Sequence, residues 1–219
     1  MDIPRNWNFK NESVASNFDR HVREQLPWYE LATYIVKHYL RGLVPYQGMV
    51  YDLGCSTGNT EIECRDLIDD RELSWVGIDN SPDMLKKYRG VKDPCLSDIS
   101  EYRYQSFDVA ICFLCLMFLP KETRRMLLEV LRSRMNPHGA IILFDKFESP
   151  HGHIGLIQNK LAMAMKLEQG LDANEILAKE VSLVGTQIPM HRSELSEFTV
   201  TPVFKLGDFE GVLLTQPVI

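Results

Sequence analysis

Three carboxylates and one glycine turn carry most of the chemical promise of this chain. Val50-Tyr51-Asp52-Leu53-Gly54-Cys55-Ser56-Thr57-Gly58-Asn59 begins as an apolar run of strand formers and breaks at Gly54. Small residues lead to Gly58, after which Glu61, Ile62, Cys64, Leu67 and Ile68 follow a helical pattern. A strand passing through such a turn into a helix presents backbone N–H groups to an anionic or polar ligand. Gly54 lets the backbone come close to that ligand, and Gly58 can take a turn conformation that a side chain disfavours. Asp52 lies just before the first glycine, where it can accept from an ammonium group or anchor the turn. Asp79 ends the next apolar run, Trp75-Val76-Gly77-Ile78, where a carboxylate can bind both hydroxyls of a ribose. Asp98, in Cys95-Leu96-Ser97-Asp98-Ile99, is placed to accept from an adenine amino group or to cap the next turn.

Nicotinamide, flavin and S-adenosylmethionine (SAM) sites all use such a turn, so the carboxylates must discriminate. A pyrophosphate in the turn would be repelled by Asp52, whereas a zwitterionic amino acid with its ammonium nearby would not. SAM is the favoured ligand, and the stretch looks like the first two motifs of the class I SAM-dependent methyltransferases. Met84, one turn into a helix opened by Ser81-Pro82, falls either beside the adenine or in the core.

The elements that must position these residues alternate between strand and helix. Helices are expected over about 60–68 and 121–135, and strands at 75–78, 95–99 and 140–144. Phe107 to Leu119 is the most hydrophobic run and should be the central buried strand plus a turn. Asn136-Pro137-His138-Gly139 is expected to stop the helix before it. This alternation predicts a single α/β domain over 1–219, with a Rossmann-like, doubly wound, mostly parallel sheet. Asp52, Gly54, Asp79, Asp98 and Phe113 then fall at or near carboxyl ends of strands, around one cleft. Residues 1–45, a mixed segment with helical spacing from Trp7 to Leu43, are expected to form two helices broken near Leu26-Pro27-Trp28-Tyr29. They would cover a sheet edge or act as a lid, with Trp28 serving either role and Tyr29 reaching the cleft. Residues 149–198 read as a helical insertion (157–167, then 172–184) before strands resume at 200–204 and 212–214.

Composition narrows the class. The 219 residues are 45% hydrophobic and 25% charged, which describes a soluble globular protein. A net charge of -6 with no long Lys/Arg run argues against a nucleic-acid substrate. Arg124-Arg125 with Arg132 and Arg134 is the densest cationic group and reads as the solvated side of a helix. No segment suits a bilayer span or a signal-peptide core. The five cysteines lack a disulfide-rich spacing, which points to reduced thiols in the cytoplasm. Cys112-Phe113-Leu114-Cys115 lies in an apolar run and reads as core, and no metal site is expected at His151-Gly152-His153.

A narrower resemblance covers most of the chain. Phe9, Val14-Ala15, Phe18 and Leu26-Pro27-Trp28-Tyr29 resemble the carboxy-S-adenosylmethionine (carboxy-SAM) synthases, as do Val50 to Ser56 and Gly77 to Pro82. So do Leu116-Met117-Phe118-Leu119, Lys146-Phe147 and the stretch around Gln169-Gly170-Leu171. The resemblance implies conversion of SAM and prephenate into carboxy-SAM, which a partner uses on tRNA wobble uridine. It also implies a homodimer in which one subunit's arginine reaches the other's cofactor carboxylate. By position it gives Tyr29, Gly54 to Ser56, Asp79, Asn80, Asp98 and Ile99 as cofactor contacts. The family's asparagine in the central strand falls at Phe113, and its arginine falls near Glu194, with Arg192 and His191 close but out of register. The cofactor pocket is therefore expected to be kept and the recognition of the extra carboxylate changed. The expected protein is a SAM-binding transferase acting on a small molecule, by methyl transfer or carboxy-SAM formation, with Tyr29 and Arg192 as catalytic candidates. A tRNA or DNA methyltransferase and a non-catalytic SAM-binding protein are the alternatives. No Asn/Asp-Pro-Pro-Tyr-like motif follows Phe113 to support the nucleic-acid reading.

Overall fold

In the computed structural model, residues 8–149 and 151–217 are described; Trp7 and the rest of 1–7 of the expected lid lie outside them. Seven strands form one sheet in the order β3-β2-β1-β4-β5-β7-β6. β1 (Met49–Leu53), β2 (Ser74–Asp79), β3 (Cys95–Leu96), β4 (Phe107–Phe113) and β5 (Met135–Lys146) are parallel. β7 (Phe209–Thr215) enters antiparallel between β5 and β6 (Thr199–Leu206). The expected doubly wound, mostly parallel sheet is therefore present.

Burial on both faces explains why the central strands read as unbroken apolar runs. Val109 and Ile111 of β4 pack with Val50, Ile142 and Phe144 on one face, beneath Ala32, Val36 and Leu40. Ala110 and Cys112 face the other way, toward Leu53, Ile141 and Leu143 and under Leu127, Leu128 and Leu131. Those leucines belong to α6 (Lys121–Arg134), which begins after Pro120.

The helical pattern at the N-terminus resolves into α1 (Glu12–Gln25) and α2 (Tyr29–Leu43). Asn11 caps α1 by accepting from the Ser13 and Val14 N–H groups, and the break falls at Leu26-Pro27-Trp28 as expected. The helix expected over 60–68 divides at Cys64 into α3 (Asn59–Glu63) and α4 (Arg65–Asp70). α5 (Pro82–Leu85) starts at Ser81, whose hydroxyl accepts from the Met84 N–H. In the insertion, α7 (Gly152–Glu168) and α8 (Ala173–Ser182) precede a short 3-10 turn at Arg192–Leu195.

Two expectations are corrected. The helix ends at Arg134, just before Asn136, as expected, but the strand expected over 140–144 starts earlier: Asn136 to Gly139 already belong to β5, whose Met135 pairs with Phe107 of β4 across a bulge. Arg124 is not on a solvated face but fully buried. Its guanidinium donates to both Glu194 carboxylate oxygens at 2.7 and 2.9 Å and to the Ile188 carbonyl at 2.9 Å. A buried guanidinium needs an opposite charge and acceptors for its remaining N–H groups, and the insertion supplies them.

Candidate functional site

The carboxyl ends of β1 to β4 open into a cavity of about 500 Å³. It brings together Gly54, Cys55 and Ser56 of the turn, Asp79 and Asn80 after β2, Asp98 and Ile99 after β3, and Phe113 of β4. Tyr29 of α2 and Met84 of α5 also line it, and the buried Met84 side chain packs with Val14 and Ala15 as well. Asp52 and Gly58 do not line the cavity.

The turn behaves differently from a phosphate cradle. The N–H groups of Gly54 and Cys55 both donate to the Ile78 carbonyl, at 2.8 and 3.0 Å, and that of Gly58 donates to Cys55. The Ser56 N–H donates to Asp79 Oδ2 at 2.9 Å. The turn is thus tied to β2, and these donors are spent inside the protein rather than offered to a ligand. Gly54 sits at φ 68°, and a Cβ there would come within 2.7 Å of Cys115 Cβ. A side chain would therefore be both strained and crowded. Ser56 also has a positive φ, 53°, a strained conformation for a residue with a side chain and of the kind that gathers at binding sites.

The acidic residues divide by environment. Asp79 Oδ1 accepts from the Ser81 N–H at 2.8 Å, so each oxygen holds one backbone donor and keeps lone pairs for a ligand. Burial raises the Asp79 carboxyl, against the two N–H bonds. At Asp98 burial is outweighed by the Ser100 N–H and hydroxyl and by the Asn80 amide, and the carboxyl lies below its usual range. Asp98 therefore both caps its turn and faces the cavity. Asp52 is buried with Oδ2 unpartnered. Burial, then the charges of Glu61 and Asp79, push its carboxyl well above the usual range. Asp52 thus lies behind the turn and not among the residues that line the cavity.

The N-terminal helices α1 and α2 line the cleft. Tyr29 packs edge-on against Phe113 at 5.4 Å. Trp28 sits against Phe204 and Phe209 of the β6–β7 hairpin, at 5.2 and 5.0 Å, and lines the cavity as well. The insertion closes the far side with Gln158, Leu161, Met165, Lys166 and Lys179. Lys146, at the end of β5, bonds to Gln187 and Asp208 at 3.1 and 3.2 Å, and Lys166 pairs with Glu180 at 3.0 Å. Burial lowers Lys179 to about 5 and His21 to about 4. Arg192 is outside this lining; its guanidinium pairs with Glu210 and lies over the Phe147 ring at 5.6 Å. His191 caps the 3-10 turn at Arg192–Leu195.

Sequence reasoning missed Asp19, Thr57, Asn59 and Arg89, which join the lid to the turn: Asp19 accepts from the other three at 2.6 to 2.7 Å. Only the helical phase of Asp19 beside Phe18 hinted at it. It also missed Asp145, which is buried and holds the cavity-lining Met117 through its N–H at 3.1 Å. Burial raises the Asp145 carboxyl from 3.8 to about 7. The folded state then binds a proton that the unfolded chain has released, so this group's contribution to stability is lost as pH rises from about 4 through about 7. Denaturant midpoints of the wild type should fall across that window, and Asp145→Asn should flatten the decline.

Comparison with known proteins adds the following. The model of a family described as Methyltransferase domain matches residues 50–139. The carboxy-S-adenosyl-L-methionine synthase of Staphylococcus epidermidis is 29% identical over 97% of this chain and 98% of its own length. That of Wolinella succinogenes is 30% identical over 84% of this chain and 80% of its own. The plantazolicin methyltransferase BpumL, solved with SAH, shares the fold at a TM-score of 0.63 and 13% identity, covering 94% of this chain and 90% of that one.

Proposed function

This chain belongs to the carboxy-S-adenosyl-L-methionine synthase family, and on that premise we propose that it is a SAM-dependent transferase whose cofactor occupies the cavity at the strand ends. The observation that carries this reading is the convergence of Asp79 and Asp98 on one cavity beside a turn in which the Gly54, Cys55, Ser56 and Gly58 N–H groups are spent within the protein. A dinucleotide needs free N–H groups for its pyrophosphate; a nucleoside joined to an amino acid does not. Asp79 takes the ribose hydroxyls, Asp98 the adenine amino group, and Met84 and Ile99 flank the base. SAM supplies an electrophilic methyl group on its sulfonium; Phe113 and Tyr29 bound the space beside it and exclude water.

Methyl transfer to a small acceptor is the favoured chemistry. Forming carboxy-SAM places a carboxylate beside the sulfonium, and burying that anion without a cation is costly. Arg192 is held by Glu210, and Glu194 is held by Arg124. Carboxy-SAM binding would require Arg192 to leave Glu210 and enter a partner's cavity. In titration calorimetry SAM should bind at least as tightly as carboxy-SAM, and Arg192→Ala should change either affinity little. A preference for carboxy-SAM that disappears in Arg192→Ala would establish the second reading instead. The burial of Arg124 removes one cation from the densest basic group, which further favours a small acceptor over nucleic acid.

The same proposal includes assembly. α7 buries none of its residues although Ile154, Leu156 and Ile157, which lie outside the cavity lining, are apolar and exposed. A second copy covering α7 accounts for this face. Light scattering at tens of micromolar should give twice the chain mass, and Ile157→Asp should give a monomer; a monomeric wild type would sink the dimer. The five free cysteines suit a reducing compartment such as the cytoplasm, and no helix among the described residues is long and apolar enough to cross a membrane.

A further inference from the structure

Tyr29 owes its hydroxyl orientation to residues on two other elements. Its oxygen lies 3.3 Å from Asn59 Nδ2, which also donates to Asp19 Oδ1 at 2.7 Å and approaches Thr57 Oγ1 at 3.2 Å. Arg89 donates to Asn59 Oδ1 at 3.0 Å, so the amide is fixed with its nitrogen toward Asp19 and Tyr29. Asp19 is carried by α1, whereas Asn59 opens the helix after the glycine turn. A phenol oxygen that accepts from an amide directs its own proton elsewhere, and Tyr29 lines the cavity beside Gly54 and Phe113.

We propose that Asp19 and Asn59 are positioning residues that aim the Tyr29 hydroxyl proton into the cavity, where it is donated to the carboxylate at the amino-acid end of SAM. The proposal rests on the SAM reading above and adds how that end is held. Burial keeps the Tyr29 phenol protonated well above neutral pH, so it remains a donor. Because Asp19 belongs to α1, the donor is aligned only while α1 rests on the turn. Seating the lid and completing the carboxylate contact are therefore one event.

The test is a double-mutant cycle read by calorimetry with two probes, SAH and 5′-methylthioadenosine, which lacks the amino-acid carboxylate. Tyr29→Phe should weaken SAH roughly tenfold, the scale of one hydrogen bond to a charged group, and leave 5′-methylthioadenosine unchanged. Asp19→Leu should weaken SAH to a similar degree, Asp19→Asn should restore most of it, and adding Asp19→Leu to Tyr29→Phe should cause no further loss. If Asp19→Leu does not fold, Asn59→Ser removes the donor to Tyr29 and takes its place in the cycle. Additive losses, or equal weakening of both probes, overturn the proposal. A wild type that binds neither probe overturns the SAM reading itself, which is a separate failure.

Discussion

Asp79→Ala is expected to weaken SAM binding at least tenfold. The substitution leaves two ribose hydroxyls without a charged acceptor, a loss of roughly 1.5–3 kcal/mol for a hydrogen bond to an ionised group. A second effect adds to the first: Asp79 also receives the Ser56 and Ser81 N–H groups. Removing the carboxylate therefore loosens both the glycine turn and the start of α5. Asp79→Asn keeps an acceptor oxygen but loses the charge and presents an amide to one backbone donor, so it should fall between wild type and alanine. Calorimetric titration, with circular dichroism to confirm folding, decides the matter. Unchanged affinity in Asp79→Ala would remove this residue from the site and undercut the SAM reading.

The largest effect on stability is expected at Glu194. Arg124 is fully buried, and Glu194 supplies the carboxylate that pairs with it. Breaking a buried pair by deleting one partner leaves an uncompensated charge and costs about 3–5 kcal/mol. Glu194→Ala should therefore lower the denaturant midpoint sharply. The double substitution Arg124→Met/Glu194→Leu should recover much of the loss, because it removes both charges. The guanidinium also donates to the Leu116 and Ile188 carbonyls, at 3.2 and 2.9 Å, so recovery will be incomplete. A Glu194→Ala midpoint equal to wild type would show that the pair contributes little.

These two residues also mark what the sequence disclosed and what it hid. Asp79 was legible because it ends an apolar run, and a parallel strand buried on both faces announces itself and its carboxyl end without reference to any partner. Asp98, Gly54 and the break at Pro27 were legible for the same local reason. Arg124 and Glu194 lie 70 positions apart, and nothing in the periodicity of α6 distinguishes a buried arginine from its solvated neighbour Arg125. Asp19 and Asn59 are 40 positions apart and meet only when the lid packs on the turn. The spent turn donors were hidden likewise: the spacing of Gly54 and Gly58 shows that the chain turns, but not that its N–H groups face Ile78 and Asp79. The burial of Asp52 was hidden as well, because position beside a glycine does not reveal it.

Occupancy of the cavity at the strand ends by SAM is read most directly by mass spectrometry of the intact protein under native conditions. The expected result is a noncovalent adduct with the mass of SAM or SAH, copurified or formed on adding excess SAM, and its loss in Asp79→Ala. A wild-type protein that shows no such adduct even in excess SAM would rule out a SAM site in this cavity.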